Sequence, residues 1–246
     1  MKLYDKTIVI TGASKGLGKK MAMLLCKKYS NLILISRTKE LLIELKNKIH
    51  NLTGNTPLII QCDITNEHDI NNMVKIIQEK YKKIDVLINN AGIGIYKKIS
   101  NITNEEMRKQ FEVNFYGAFN CTKVLLPLIK KSKSGYILNI GSLYNKISFA
   151  ETSVYSATKC ALYGFTEGLR HEIKNDNIKI GYIMPGSMNT SFHKDEKENT
   201  LKAPAFLTLD PEKVAKKIDN IILKRKKKIV MYKWILFLMR LKKLFT

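Results

Sequence analysis

The chain has 246 residues, 45% of them hydrophobic and 26% charged, which suits one substantial globular domain and excludes an intrinsically disordered protein. Its 43 Lys and Arg against 21 Asp and Glu give a formal net charge of +22, a balance found in nucleic-acid and membrane-surface binders. The lysines are spread through every segment except for a cluster at the C-terminus, so compositional bias accounts for most of the excess and no nucleic-acid partner is expected.

The first apolar run, Thr7–Ile10, leads into a glycine-rich turn and then a helical pattern over Leu17–Tyr29, with Leu17, Met21, Leu24 and Leu25 on one face. Further apolar runs follow at Leu32–Ile35, Leu58–Gln61, Val86–Ile88, Tyr136–Ile140 and Ile180–Ile183, with a last strand around Ile229–Met231. These runs are short, rich in Ile, Leu and Val, and do not alternate with polar residues, as expected of strands buried on both faces of a parallel sheet. Between them, Asp63 precedes a helix starting near Asn66, and Thr103 with Glu106 forms a capping box opening a long helix. Another helix is expected from about Val154 to Lys174, and Asp210-Pro211-Glu212 begins one with proline in its first turn. Such alternation implies βαβ units closing right-handed into a doubly wound α/β sheet of about seven strands, helices on both faces. A single domain over residues 1–230 is expected, followed by a basic, apolar tail at 231–246. The irregular stretch within about 187–209 follows the end of a strand, where an α/β protein keeps a substrate lid.

Cys26, Cys62, Cys121 and Cys160 lie far apart, and His50, His68, His171 and His193 are equally scattered, so no metal site is expected. Met1 leads straight into a strand-like run without a signal peptide, and a cytoplasmic protein with reduced thiols is expected.

The chemistry begins at Thr11-Gly12-Ala13-Ser14-Lys15-Gly16-Leu17-Gly18, between the first strand and the first helix. Glycines there let the backbone turn sharply and let a pyrophosphate approach the free amides of a helix N-terminus. Downstream come Asn89-Asn90-Ala91-Gly92, Asn114 in the long helix, Ser142 after the fifth run, Tyr155-Ser156-Ala157-Thr158-Lys159, and Pro185-Gly186 after the sixth. In this order and spacing the chain resembles the short-chain dehydrogenase/reductase family from about Lys6 to Val230, with the family's T-G-x-x-x-G-x-G fingerprint at its start. The resemblance implies a single-domain Rossmann-type fold, an oxidoreductase passing hydride between a nicotinamide cofactor and a carbonyl or secondary alcohol, and a homodimer or homotetramer.

Tyr155 and Lys159 stand four apart, so on a helix both reach one cleft. A phenol with an ordinary pKa near 10 is too weak an acid for efficient work at neutral pH, and a fixed ammonium beside it is expected to lower that value. By resemblance, Tyr155 gives or takes the proton, Lys159 also holds the nicotinamide ribose, Ser142 polarises the substrate oxygen, and Asn114 anchors a proton-relaying water chain. Gly12, Ser14, Lys15, Gly16, Leu17 and Gly18 would cradle the cofactor, Asn90, Ala91 and Gly92 would pass beneath the adenine ribose, and Asp63 with Ile64 would meet the adenine. Asp63 serves equally well as a turn residue. Pro185, Gly186 and Thr190, within P-G-x-x-x-T, would line the nicotinamide.

Cofactor choice is read at the end of the second strand, where Ser36-Arg37 replaces the acidic residue that would bind a ribose 2′-hydroxyl. Arg37 offers a fork to a 2′-phosphate, Ser36 a hydrogen bond and Lys15 a second cation, so NADP(H) is expected over NAD(H). Reduction is the expected direction, because cytosolic NADP pools are usually reduced. Substrates left open are a long-chain ketone as in 3-ketosphinganine reductases, a 3-oxoacyl thioester or a steroid. A catalytically silent nucleotide sensor or peripheral membrane protein is the non-enzyme alternative; the set Asn114, Ser142, Tyr155 and Lys159 argues against it. In the tail, Lys224-Arg225-Lys226-Lys227-Lys228 precedes Ile229–Leu241, apolar except for Lys233 and Arg240. It is too short and interrupted to span a bilayer. Trp234, Leu238, Leu241 and Phe245 suit packing on protein, the preferred reading, or a helix lying in a membrane interface.

Overall fold

The computed structural model describes residues 4–174, 176–188 and 208–231 together with Phe237. Its first half runs β1 (Tyr4–Thr11), α1 (Gly16–Leu25), β2 (Tyr29–Ser36), α2 (Lys39–Thr53), β3 (Leu58–Gln61), α3 (Glu67–Lys80) and β4 (Val86–Asn89). Then come α4 (Asn104–Phe111), a π-helical turn at Glu112–Tyr116, α5 (Gly117–Lys130), β5 (Gly135–Ile140) and a short 3₁₀ turn at Leu143–Asn145. The remainder is α6 (Ser153–Glu172), β6 (Ile178–Met184), α7 (Pro211–Lys224) and β7 (Lys228–Val230).

The seven strands form one parallel sheet in the order β3-β2-β1-β4-β5-β6-β7. The lack of alternation in the apolar runs has a direct cause: successive side chains enter two different cores. Ile8 and Ile10, Leu32 and Leu34, and Val86 and Ile88 join Met21, Leu42, Leu45, Val214 and Ile218 on one face. Val9, Ile33 and Leu87, one residue out of step, join Ile70, Met73, Leu125, Leu128 and Leu169 on the other. Period two is still present, but both phases are apolar.

Chain direction across the sheet reverses between β1 and β4, so the carboxyl ends of these neighbours diverge to leave a crevice. The capping box predicted at Thr103 is present: its hydroxyl accepts from the Glu106 amide at 3.2 Å, and the Glu106 carboxylate accepts from the Thr103 amide at 3.0 Å. Asn66 caps α3 and Asp210 caps α7, with Pro211 in the first turn. One boundary differs. The helix expected over Leu17–Tyr29 ends at Leu25, and Tyr29 opens β2, paired with Tyr4. The Tyr29 ring is buried and its hydroxyl lies 3.4 Å from Asp219 of α7, a contact across the fold that helical periodicity does not reveal. No helix among the described residues is long and apolar enough to cross a membrane. Most of the expected lid, and the tail residues Trp234, Leu238, Leu241 and Phe245, lie outside the described residues.

At the end of the sheet away from the crevice, Asp85 ties three strands together. Its carboxylate accepts from the Thr7 amide at 3.0 Å, the Ser132 hydroxyl at 2.5 Å and the Lys83 ammonium at 3.3 Å. Burial pushes this carboxyl up, but the hydrogen bonds from Ser132, Thr7 and Lys83 outweigh it and hold the pKa below the usual carboxylate range. Asp85→Ala orphans these donors and should lower unfolding stability at neutral pH by about 3 kcal/mol. Because the native pKa is depressed, the contribution is present above the ordinary carboxylate value and is lost as pH falls through the native value. Urea unfolding at neutral and acid pH should therefore show the gap between wild type and variant closing on acidification.

Candidate active site

The crevice is floored by the glycine turn. Gly12 and Gly16 adopt left-handed backbone, with φ of 63° and 50°. A Cβ on Gly12 would stand 2.8 Å from the Ala91 Cα, and one on Gly18 would stand 2.1 Å from the Gly12 carbonyl oxygen. The turn is stitched to the end of β4: the Thr11 hydroxyl accepts from the amides of Asn90 (3.0 Å) and Ala91 (3.1 Å). The Asn90 side-chain amide donates to the carbonyls of Thr11 (2.9 Å) and Gly12 (3.2 Å). No side chain caps α1 and its first turn holds no acid, which leaves the helix start suited to an anion.

Beside it, at the end of β2, the Ser14 and Ser36 hydroxyls share a 2.7 Å hydrogen bond. Arg37 is largely exposed and stands 3.9 Å from Asp63. Asp63 takes the turn role and also borders the crevice. One carboxylate oxygen closes a turn by accepting from the Thr65 amide and hydroxyl at 3.0 and 2.8 Å, while the residue also lines the crevice beside Ile64.

At the other end, Ser142, Tyr155 and Lys159 line the same crevice and all three are buried. The side chains of Ser142 and Tyr96 face the Tyr155 hydroxyl. The Tyr155 ring makes edge contacts with those of Tyr96 and Tyr144, at 5.3 and 5.8 Å between centres. Lys159 Nζ donates to the Ile140 carbonyl at 3.3 Å and stands 5.6 Å from the centre of the Tyr155 ring. Burial dominates both groups. It raises the Tyr155 phenol against the hydrogen bonds from Ser142 and Tyr96, and it lowers the Lys159 ammonium to about 8. The expected downward pull of Lys159 on the phenol is therefore not what this geometry gives: the ammonium turns to a backbone carbonyl, and desolvation of the phenolate prevails.

Asn114 sits in the π-helical turn, behind the crevice wall. Its side chain accepts from the Ile93 amide at 2.8 Å, and donates to the Ile93 carbonyl at 2.9 Å and the Thr158 hydroxyl at 3.0 Å. It thus clamps the loop after β4 to the α6 turn between Tyr155 and Lys159. The same loop is held by Gln110, which accepts from the Ile95 amide at 3.0 Å. The carbonyl of Glu151, whose φ is 67°, accepts from the Lys97 amide at 3.1 Å.

A family model described as short-chain dehydrogenase matches residues 6–201. The chain belongs to this family. The ketoacyl reductase HetN of a Nostoc species is 33% identical over 221 residues, which are 89% of this chain and 76% of HetN. A short-chain dehydrogenase of Escherichia coli, solved with NADPH, is 25% identical with a TM-score of 0.84, covering 93% of this chain and 97% of that one. A family member from Burkholderia phymatum, solved with NAD, is 21% identical with a TM-score of 0.86, covering 98% and 94%.

Of the site residues read from the sequence, Gly12, Ser14, Lys15, Gly16, Leu17, Ser36, Arg37, Asp63, Ile64, Asn90, Ala91, Gly92, Ser142, Tyr155, Lys159, Pro185 and Gly186 line one crevice. Gly18 lies beneath it as a packing glycine, Asn114 stands behind it, and Thr190 lies outside the described residues. Sequence reasoning missed Tyr96 and Tyr144, which flank Tyr155, and the buried pair Asn89–Asn139. The Asn89 side-chain amide donates to the Asn139 side-chain oxygen, Oδ1, at 2.8 Å across β4 and β5. Nothing local marks these residues; only Asn89, inside the Asn-Asn-Ala-Gly motif, carried a signal.

Proposed function

We propose that the protein is an NADP(H)-dependent reductase of ketones or aldehydes, with Tyr155 as the proton donor, reversible to alcohol oxidation. One observation carries this reading: Tyr155 and Ser142 share a crevice with Lys159 and with a glycine cradle that a single Cβ would fill. The cradle fits a dinucleotide, with the pyrophosphate at the start of α1 and the adenosine toward Ser36, Arg37 and Asp63. When bound, the nicotinamide supplies or accepts the hydride. Ser142 donates to the carbonyl oxygen as charge grows there, and Tyr155 releases its proton to that oxygen. Tyr96 and Tyr144 offer an aromatic wall on the substrate side.

The 2′-phosphate preference rests on Arg37 and on the absence of an acidic residue at the end of β2. The E. coli structure with NADPH supports it, and the B. phymatum structure with NAD keeps NAD(H) as the alternative. NADPH consumption over a panel of carbonyl compounds, with NADH alongside, tests both parts. Arg37→Glu places a second carboxylate near Asp63, and should lower the preference for NADPH over NADH in kcat/KM by about 100-fold. An unchanged ratio would remove Arg37 from cofactor selection, and oxidation of neither cofactor would remove the function.

The name of the Nostoc relative favours a 3-oxoacyl thioester as a second substrate class. A homodimer or homotetramer remains the family-based proposal. For the tail, the proposal is packing on protein or peripheral contact with a membrane.

A further inference from the structure

The β5 and β6 strands exchange two tyrosines for two glycines. Tyr136 of β5 occupies the space above Gly181 of β6, where a Cβ would stand 2.0 Å from its hydroxyl oxygen. Tyr182 of β6 occupies the space above Gly141, just beyond β5, where a Cβ would stand 2.2 to 2.4 Å from the ring and hydroxyl. The first tyrosine is structural: its hydroxyl donates to the Lys226 carbonyl at 2.7 Å, at the sheet edge away from the crevice. The second reaches the reacting end.

Tyr182 is wholly buried, and its hydroxyl donates to the backbone carbonyl of Lys159 at 2.9 Å. The backbone amide of Ser142 faces the same oxygen. On either side of Ser142 the chain is already fixed, by the Gly141 amide to the Ile183 carbonyl at 2.8 Å and the Leu143 amide to the Pro185 carbonyl at 3.2 Å. The Tyr182 hydroxyl is thus where the Ser142 turn meets the Lys159 turn of α6, and it joins the two without entering the crevice. Burial keeps it protonated, so it remains a hydrogen-bond donor throughout the working pH range.

We propose that Tyr182 is a positioning residue for the reaction, its hydroxyl setting the distance between the Ser142 turn and α6, with Gly141 leaving the room its ring requires. The inference rests on the assignment of Ser142, Tyr155 and Lys159 made above. Tyr182→Phe keeps the ring that packs over Gly141 and removes only the hydroxyl, and a small misplacement of reacting groups lowers turnover more than binding.

The test uses the full chain, NADPH and phenanthrenequinone, an activated diketone. Tyr182→Phe should lower kcat by about tenfold, with KM and NADPH affinity within about twofold of wild type. In a Ser142→Ala background, where there is no serine hydroxyl left to position, the same change should lower kcat by less than about twofold. A fall of equal size in both backgrounds, no fall in either, or loss of NADPH binding by Tyr182→Phe would each overturn the proposal. Tyr155→Phe is the control. If it retains wild-type turnover, the underlying assignment has failed; if it is inactive while Tyr182→Phe is unaffected, only this inference has.

Discussion

Replacing Tyr155 with phenylalanine is expected to lower kcat/KM for carbonyl reduction by about 1,000-fold while leaving NADPH binding nearly intact. The ring is held by edge contacts with Tyr96 and Tyr144, and phenylalanine preserves those contacts and the shape of the crevice. What disappears is the one hydroxyl that meets both Ser142 and Tyr96. Water is a poor substitute at a buried position, since it brings neither fixed orientation nor a tuned acidity. Burial raises the Tyr155 pKa, so the phenol is protonated at neutral pH and ready to act as an acid in reduction. The reverse reaction needs that proton removed, and alcohol oxidation should accelerate with rising pH. NADPH consumption and fluorescence titration on the same preparation separate loss of chemistry from loss of binding. Turnover equal to wild type would sink the assignment of Tyr155 as acid and base.

The fold was legible because its signals are local. Strands buried on both faces leave uninterrupted apolar runs, and Thr103, Asn66 and Asp210 announce helix starts through bonds to residues two or three positions away. The glycine turn was legible for the same reason, as Gly12 and Gly16 answer to local backbone angles. Failures came where the deciding contact joins distant segments. Tyr29 closed the expected helix, yet it opens β2, where it pairs with Tyr4 and its hydroxyl reaches Asp219, 190 positions away. Tyr182 looked like one more apolar strand residue, because its partners Gly141 and Lys159 come from other elements. Nothing near Asp85 in the chain marks it, because Thr7 and Ser132, which bond its carboxylate, come from other segments. The spacing of Tyr155 and Lys159 was read as one helix face, and both line the crevice, but the Tyr155 pKa moves up where a downward pull was expected. Spacing reports proximity; the balance of desolvation against charge depends on everything packed around the pair.

That balance makes Lys159→Met the second large expected effect, with activity and stability moving in opposite directions. Methionine keeps an unbranched side chain of similar length and removes the ammonium, so turnover should fall by about 100-fold or more. Stability should rise. Lys159 is buried, and a pKa moved from 10.5 to about 8 corresponds to an upper limit of about 3 kcal/mol for holding the charged form there. The sign follows from where the proton is lost. Below pH 8 the ammonium is charged in both folded and unfolded chains, and the cost of burying it is fully present. Between about 8 and 10.5 the folded protein gives up the proton first, so wild-type stability climbs toward that of the variant. Above that window the two should converge. Melting temperatures across neutral and alkaline pH would show the gap closing, whereas a Met variant no more stable at neutral pH would mean that the Ile140 carbonyl and its surroundings already compensate the charge. The same titration predicts that reduction by wild type slows as pH rises through about 8, when the crevice loses the Lys159 charge. A fall in turnover together with a rise in stability would mark Lys159 as a side chain that serves the reaction at the expense of the fold.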